Sequence, residues 1–439
     1  MRLTHFLSKS RGIRNLVARI ITILSRFGIS SRKFEYLLKR YSALTSKLGF
    51  VPTFAITAVI LKRHPKLVRE LSQRGVEFAV HGYVHIDYKS ISLDEQVEHF
   101  KKAIDTFKIC EIPFVGFRAP FLRVNGHTPK VLSSLGFMYD SSRIIHWNAV
   151  DLTEYSRHAR SEHARLLEFY QPREAEEYLA LPRIKDGLIQ IPVSIPDDEA
   201  IVDRLGIIDE RTISEIWKYV LQRTYSSGEL FTLGLHPERI SFCENTLVSV
   251  IQQANRLNPP VWGATLKEIA EWWRERDRFT FEISSQGNGR YRVKANCSDR
   301  ATILLKNSKV NVPVDEWFDG YQSVTARDFV LESPTRPVIG VGRDSSPAAV
   351  NFLRSEGYIV ELNTEPDNCG IFLNNLAQFD EADEKTLSRE IEQSDAPILR
   401  YWRWPDQARS ALSVSGDIDS MTLIDFVLRI FENWRQIVR

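Results

Sequence analysis

The chain has 439 residues, enough for two or three domains and a large core, with the composition of an ordinary soluble protein at 43% hydrophobic and 26% charged. A formal net charge of only +2 excludes the global basicity of a nucleic-acid binder. Cys110, Cys243, Cys297 and Cys369 are scattered without a CxxC spacing, which excludes a zinc ribbon and a disulfide scaffold.

Near the start, Arg11, Arg14, Lys33 and Arg40 read as solvated helix faces. The patch "LVARIITIL" (16–24) is short and carries Arg19, so no membrane span is expected; peripheral contact with a membrane surface stays open for it. No signal peptide is visible, and the cytoplasm is the expected compartment. Residues 31–48 predict an amphipathic helix with Phe34, Leu37, Leu38 and Tyr41 on one face. "VPTFAITAVIL" (51–61) predicts a buried strand running into a loop, 64–75 a helix ending at Gly75, and 76–82 a strand. The stretch 92–108 predicts a helix with Ser92 as N-cap and Glu95 closing a capping box. Strands follow at 113–120 and 137–142 around a helix at 128–136, and further strands at 187–194 and 229–237 around a helix at 211–226. Steady alternation of strand and helix implies parallel βαβ units. His81, His85, Arg118, Asp140 and His236 all fall at or just past the C-terminal ends of these strands, the active-site face of a parallel barrel.

After about residue 278 the pattern changes. Alternating residues with a "QGNG" turn predict a small antiparallel β module over 279–335, read here as a spacer rather than a carbohydrate-binding accessory. Residues 336–405 predict an α/β insert. Its "GVGRDSSP" turn lacks the second half of a phosphate-binding fingerprint and is better explained by Asp344 or Ser345 capping a helix before Pro347. In 406–439 the apolar run "ALSVS" leads into two carboxylates, Asp417 and Asp419, and then a helical pattern.

His81 and His85, four apart, suit one metal if the backbone turns helically or a loop folds back, because neutral imidazole is a common ligand for zinc and similar ions. The surrounding motifs strengthen that reading. "PTFAITAVILKRHPKLVRELSQRGVEFAVHGYVH", "GFRAPF" (116–121), "YDSSRIIHW" (139–147) and "LGLHP" (233–237) occur in order, and together they resemble the NodB-type polysaccharide deacetylases over roughly residues 30–270. The resemblance implies a distorted (β/α) barrel over 30–278, with an H-x-x-x-H metal motif at His81 and His85 and an R-x-P-aromatic motif at Arg118, Pro120 and Phe121. It also implies a groove residue at Trp147 and a catalytic histidine at His236.

One element is missing. The family's first strand carries a pair of aspartates, one a metal ligand and one a base, yet the segment before residue 31 has no carboxylate where that strand is due. "ALSVSGDID" resembles the absent strand with one residue inserted between the acids, which implies a circularly permuted barrel completed by 406–439. The competing reading makes "GDID" a turn or helix N-cap in a separate domain.

On the permuted reading, His81, His85 and Asp419 hold a divalent metal, zinc by family likeness; the same ligand set also suits iron(II). Asp417 is the base, although the inserted residue leaves the two acids exchangeable. Arg118 pairs with the base, and His236 donates a proton to the departing amine. Asp140 orients His236 or caps a loop, and Asp140, Trp147, Pro120 and Phe121 form the substrate side. The expected activity is metal-dependent hydrolysis of an amide, foremost N-deacetylation of an acetylated sugar or glycan precursor. A deformylase or cyclic amidase using the same site is an alternative, and so is a non-catalytic carbohydrate-binding protein with a degenerate site.

Overall fold

The computed structural model describes residues 28, 30–362 and 365–437, so the apolar patch at 16–24 lies outside the described residues. The main sheet is built from β1 (Thr53–Ile56), β2 (Glu77–Val80), β3 (Gly116–Phe117), β4 (Tyr139–Asp140), β5 (Ile144–His146), β6 (Arg173–Glu174), β7 (Arg183–Lys185), β8 (Leu188–Gln190), β9 (Val193–Ile195), β10 (Leu230–Gly234), β11 (Val261–Gly263) and β12 (Ser410–Ile418). Its order is β6-β5-β9-β10-β12-β1-β2-β3-β4-β8-β7, with β11 also paired to β12. All these pairings are parallel except β7 with β8, and the ends β6 and β7 do not meet, which makes an open, distorted α/β barrel.

Strand β12 occupies a central slot. It pairs with β10 from Leu230↔Ala411 to Gly234↔Ser415, and with β1 from Thr53↔Ser415 to Ile56↔Ile418. Strands β1 and β12 are buried along nearly their whole length, as expected where helices cover the outside and side chains fill the inside. Small residues let β12 sit tightly. A Cβ added at Gly416 would stand 2.2 Å from the Leu235 carbonyl oxygen. We therefore expect Gly416→Ala to destabilise the fold by about 1–3 kcal/mol, the usual cost of overpacking, with a lowered urea midpoint as the check.

Helix α1 (Arg32–Lys47) buries Phe34, Leu37, Leu38 and Tyr41, the face its sequence spacing predicts. Helix α2 (Leu93–Ile109) starts with Ser92 and Glu95 in a complete capping box. Two expectations shift. Residues 58–63 of the expected strand and loop form a short helix, because an unbroken apolar run satisfies either a buried strand or a buried helix. The strand expected over 187–194 is split into β8 and β9 around Pro192, which has no N–H to give a ladder.

Residues 279–405 add three small sheets. A hairpin of 280–287 and 290–296 turns through Asn288 and Gly289, both with positive φ, as a two-residue type I′ turn requires. The strand Ile398–Tyr401 pairs with Ile303–Lys306, so the stretches before and after residue 335 share a sheet. A parallel sheet of 339–341, 360–362 and 371–373 flanks the capped turn, where Ser346, one residue beyond the expected pair, accepts from the Ala349 amide. A continuous apolar cluster joins barrel residues Ala55, Leu230 and Ala411 to Trp272, Trp404 and Ile303, packing the added sheets against the barrel. No helix among the described residues is long and apolar enough to cross a membrane.

Candidate metal centre

Four strand ends build the site. His81 follows β2, Arg118 follows β3, His236 follows β10, and Asp417 and Asp419 lie at the end of β12. Alternation along an extended chain puts residues two apart on one side. Asp417 and Asp419 accordingly point the same way while Ile418 between them is buried in the core. The residue inserted between the acids keeps both at the site.

His81 Nδ1 donates to the Arg118 carbonyl oxygen at 2.8 Å. That bond fixes the proton on Nδ1 and leaves a lone pair on Nε2. Nε2 lies 3.3 Å from Asp419 Oδ1 and 3.8 Å from Asp417 Oδ2, while His85 Nε2 lies 3.1 Å from Asp419 Oδ2. Asp419 Oδ1 is buried and receives no hydrogen bond. A lone pair facing a buried carboxylate oxygen at this range repels unless a cation stands between them. Ligand atoms of His81, His85 and Asp419 all fall within 4.8 Å of one another, so the three residues fit a divalent ion. The two acids make the pocket favour positive charge: burial works against charge on His81, but Asp417 and Asp419 outweigh it and raise the imidazole above its ordinary pKa, whereas at His85 burial prevails and lowers it. Burial of Asp419 is outweighed by the neighbouring His85, His81 and Arg429, and its carboxyl is held well below the usual range.

Asp417 takes a different partner. Arg118, almost fully buried, donates from Nη1 to Asp417 Oδ1 at 3.0 Å and from Nη2 to Ser141 Oγ and Ser415 Oγ. The guanidinium is thus fixed by Ser141, just past β4, and by Ser415 of β12 before it meets the acid.

His236 is oriented by Asp198, a residue the sequence reading missed. Its Nδ1 donates to Asp198 Oδ1 at 2.8 Å and its backbone N–H donates to Oδ2 at 2.9 Å. Burial lowers the pKa of His236, but the charge and hydrogen bond of Asp198 overcome that and raise it well above the ordinary value. Burial also opposes ionisation of Asp198, yet His236 and Arg239 hold its carboxyl well below its usual range. Beside it, Asp197 is pushed up to about 7 by burial and then by the Asp198 charge. The signal was present: "PDD" follows the strand ending at Ile195, at the same strand-end position as the other candidates. Arg429, on helix α3 (Leu423–Ile437), was also missed; its Nη1 donates to Asp419 Oδ2 at 2.9 Å.

These groups open into a cavity of about 470 Å³ lined by Asp417, Asp419, His236, Phe121, Phe169 and Arg165, among others. Phe121 meets its expected place. Its ring packs edge-on against His85 at 4.4 Å and faces Phe169 at 6.1 Å. Pro120 is buried beneath it at the start of a short turn. Two expected substrate residues lie elsewhere. Asp140 is buried and accepts from Ser142 Oγ, so it neither orients His236 nor lines the cavity. Trp147 is 2% exposed and lines a separate cavity, with the Lys385 ammonium over its ring at 5.9 Å.

Comparison with known proteins finds several similarities. The family model "Polysaccharide deacetylase" matches residues 38–139. The chain is similar to a peptidoglycan deacetylase-like protein, FGM2, of Gibberella zeae, at 22% identity over 278 residues, covering 58% of this chain and 74% of the relative. Among solved structures it is similar to a probable polysaccharide deacetylase from Pseudomonas aeruginosa PAO1, at 20% identity and a TM-score of 0.42, covering 54% of this chain and 72% of that one. It is also similar to a family 4 carbohydrate esterase from Streptomyces lividans, at 15% identity and a TM-score of 0.24, covering 37% and 73%. Residues 38–139 thus match the polysaccharide deacetylase family model, and the acid-bearing strand beside β1 is supplied from the C-terminal stretch.

Proposed function

We propose that the protein is a metal-dependent N-deacetylase of an acetylated sugar or glycan precursor. The observation that carries this reading is the junction of His81, His85 and Asp419 around an unpaired, buried carboxylate oxygen, with Asp417 held by Arg118 alongside. His81, His85 and Asp419 would hold the ion, with zinc favoured by family likeness. When bound, it supplies Lewis-acid polarisation of the amide carbonyl. The chain's own groups then divide the proton work. Asp417 takes the proton from the attacking water, and Arg118 keeps that carboxylate aimed. His236, charged and steered by Asp198, gives a proton to the departing amine nitrogen. Phe121 and Phe169, 40% and 41% exposed at the cavity wall, offer apolar faces to a sugar ring.

Purified protein loaded with zinc and given N-acetylglucosamine oligomers is expected to hold about one zinc per chain and to release acetate. Protein that binds the oligomers without holding zinc or releasing acetate would return the non-catalytic glycan-binding reading.

The acid has its own test. His236→Ala is expected to keep the metal and lower kcat by about 10²–10⁴. Since Asp198 raises the His236 pKa, the protonated acid persists to higher pH, and the alkaline limb of the rate profile sits above the usual histidine range. Asp198→Asn removes that support and is expected to move the limb to lower pH. An unmoved limb in Asp198→Asn sinks the assignment of His236 as the acid.

A further inference from the structure

A second cavity, of about 700 Å³, lies where the barrel meets the added sheets. Trp147, Arg223 and Glu229 line it from the barrel side, and Lys306, Ser388 and Arg389 from the 279–405 segment. None of these residues lines the cavity at the metal centre.

Its wall is unbalanced in charge. The carboxylates that line it are already engaged: Glu229 with Lys385 at 3.2 Å, Asp319 with Arg409 at 3.2 Å, and Glu392 with Arg400 at 2.5 Å. Arg403 is engaged as well, paired with the buried Glu356. Three cations remain without a carboxylate among the described residues. Lys306 donates to the Glu392 carbonyl oxygen, Arg223 reaches only the Tyr219 hydroxyl, and Arg389 has no ion pair. Burial and the nearby Arg403 charge lower the pKa of Arg409 to about 10, as expected in a region crowded with positive charge.

Its unpartnered polar groups lean the same way, with Glu229 Oε1, 3.2 Å from the Lys385 ammonium, as the one acceptor among them. Trp147 Nε1 and Ser388 Oγ, on residues 2% and 8% exposed, have no hydrogen-bond partner in the protein, and neither do Nε of Arg400 and Nε of Arg409. All four can donate. An occupant has to bring acceptors and negative charge, the chemistry of a multiply charged oxyanion. A neutral sugar would leave the three cations unmatched.

We propose that this cavity binds a phosphate group, free or carried as a phosphoryl ester, and that the site joins the barrel to the added sheets. It stands independently of the deacetylase reading. Full-length protein in phosphate-free buffer would be titrated calorimetrically with inorganic phosphate and, separately, with pyrophosphate. Saturable one-to-one binding of at least one of them is expected. Arg223 and Arg389 are exposed, so the Arg223→Ala, Arg389→Ala double variant is expected to fold and to bind about tenfold or more weakly. Asp419→Ala, altered at the metal centre, is expected to bind as the parent does. Tighter pyrophosphate binding would point to a diphosphate ester, and equal binding to a single phosphoryl group. Absence of binding for both anions overturns the proposal, as does a double variant that binds like the parent.

Discussion

Asp419→Ala is expected to lose its bound metal and fall to background turnover, whereas Asp417→Asn is expected to keep the metal and lose about 10²–10⁴ in kcat. The difference follows from geometry. Asp419 offers one oxygen toward His81 and the other toward His85, and the former has no donor of its own. Asp417 shares the site but spends one oxygen on Arg118. Metal content by mass spectrometry and acetate release, measured on both variants, separate ligand from base. A full metal equivalent in Asp419→Ala would remove it as a ligand, and the mirror-image result would exchange the two roles.

The second large effect concerns stability. Glu356 is 2% exposed and bonds to Arg400 and Arg403, both themselves buried. It joins the added sheets to the Trp402–Trp404 turn that feeds β12. Glu356→Gln keeps the shape, removes the charge, and leaves the buried Arg403 without a carboxylate and Arg400 with Glu392 alone. The expected loss is about 3–5 kcal/mol, read from urea unfolding at neutral pH. The same pairing predicts an acid response. Burial raises the Glu356 pKa, but Arg403 and Arg400 outweigh it and hold the carboxyl at about 2, against 4.5 when unpaired. A depressed carboxyl stabilises the fold above its unfolded pKa and loses that contribution as pH falls through the folded one. The parent should therefore lose about 3 kcal/mol between pH 4.5 and pH 2 from this group, and Glu356→Gln should not. Equal acid slopes in the two proteins would refute it.

Sequence reading went furthest where local signals were strong. The apolar spacing of α1, the Ser92 capping box and the turn at Asn288–Gly289 each follow from a few neighbouring residues, and each is present. The two acids are matched to two distant imidazoles through the resemblance of "ALSVSGDID" to the family's first strand, and strand ends of a parallel barrel do converge on one face. Three features escaped. Asp198 follows a strand end as the other candidates do, but its grip on His236, 38 residues further along, is set by tertiary contacts. Arg429 reads as one more charged position on an amphipathic helix until that helix is docked. Trp147 follows a strand end like the other candidates, yet its ring turns into a different cavity, because strand position constrains the backbone far more than it constrains a large side chain.

The central slot of β12 has a consequence for biosynthesis. Thr53 and Leu230 are made long before their neighbours Ser415 and Ala411. Until those residues leave the ribosome, β1 and β10 each present a naked edge, the kind that recruits foreign strands. A nascent chain arrested anywhere in 279–405 would carry two such edges without Asp417 and Asp419, and would be prone to aggregate. On the proposed reading, the candidate metal centre can be assembled only after translation has passed residue 419.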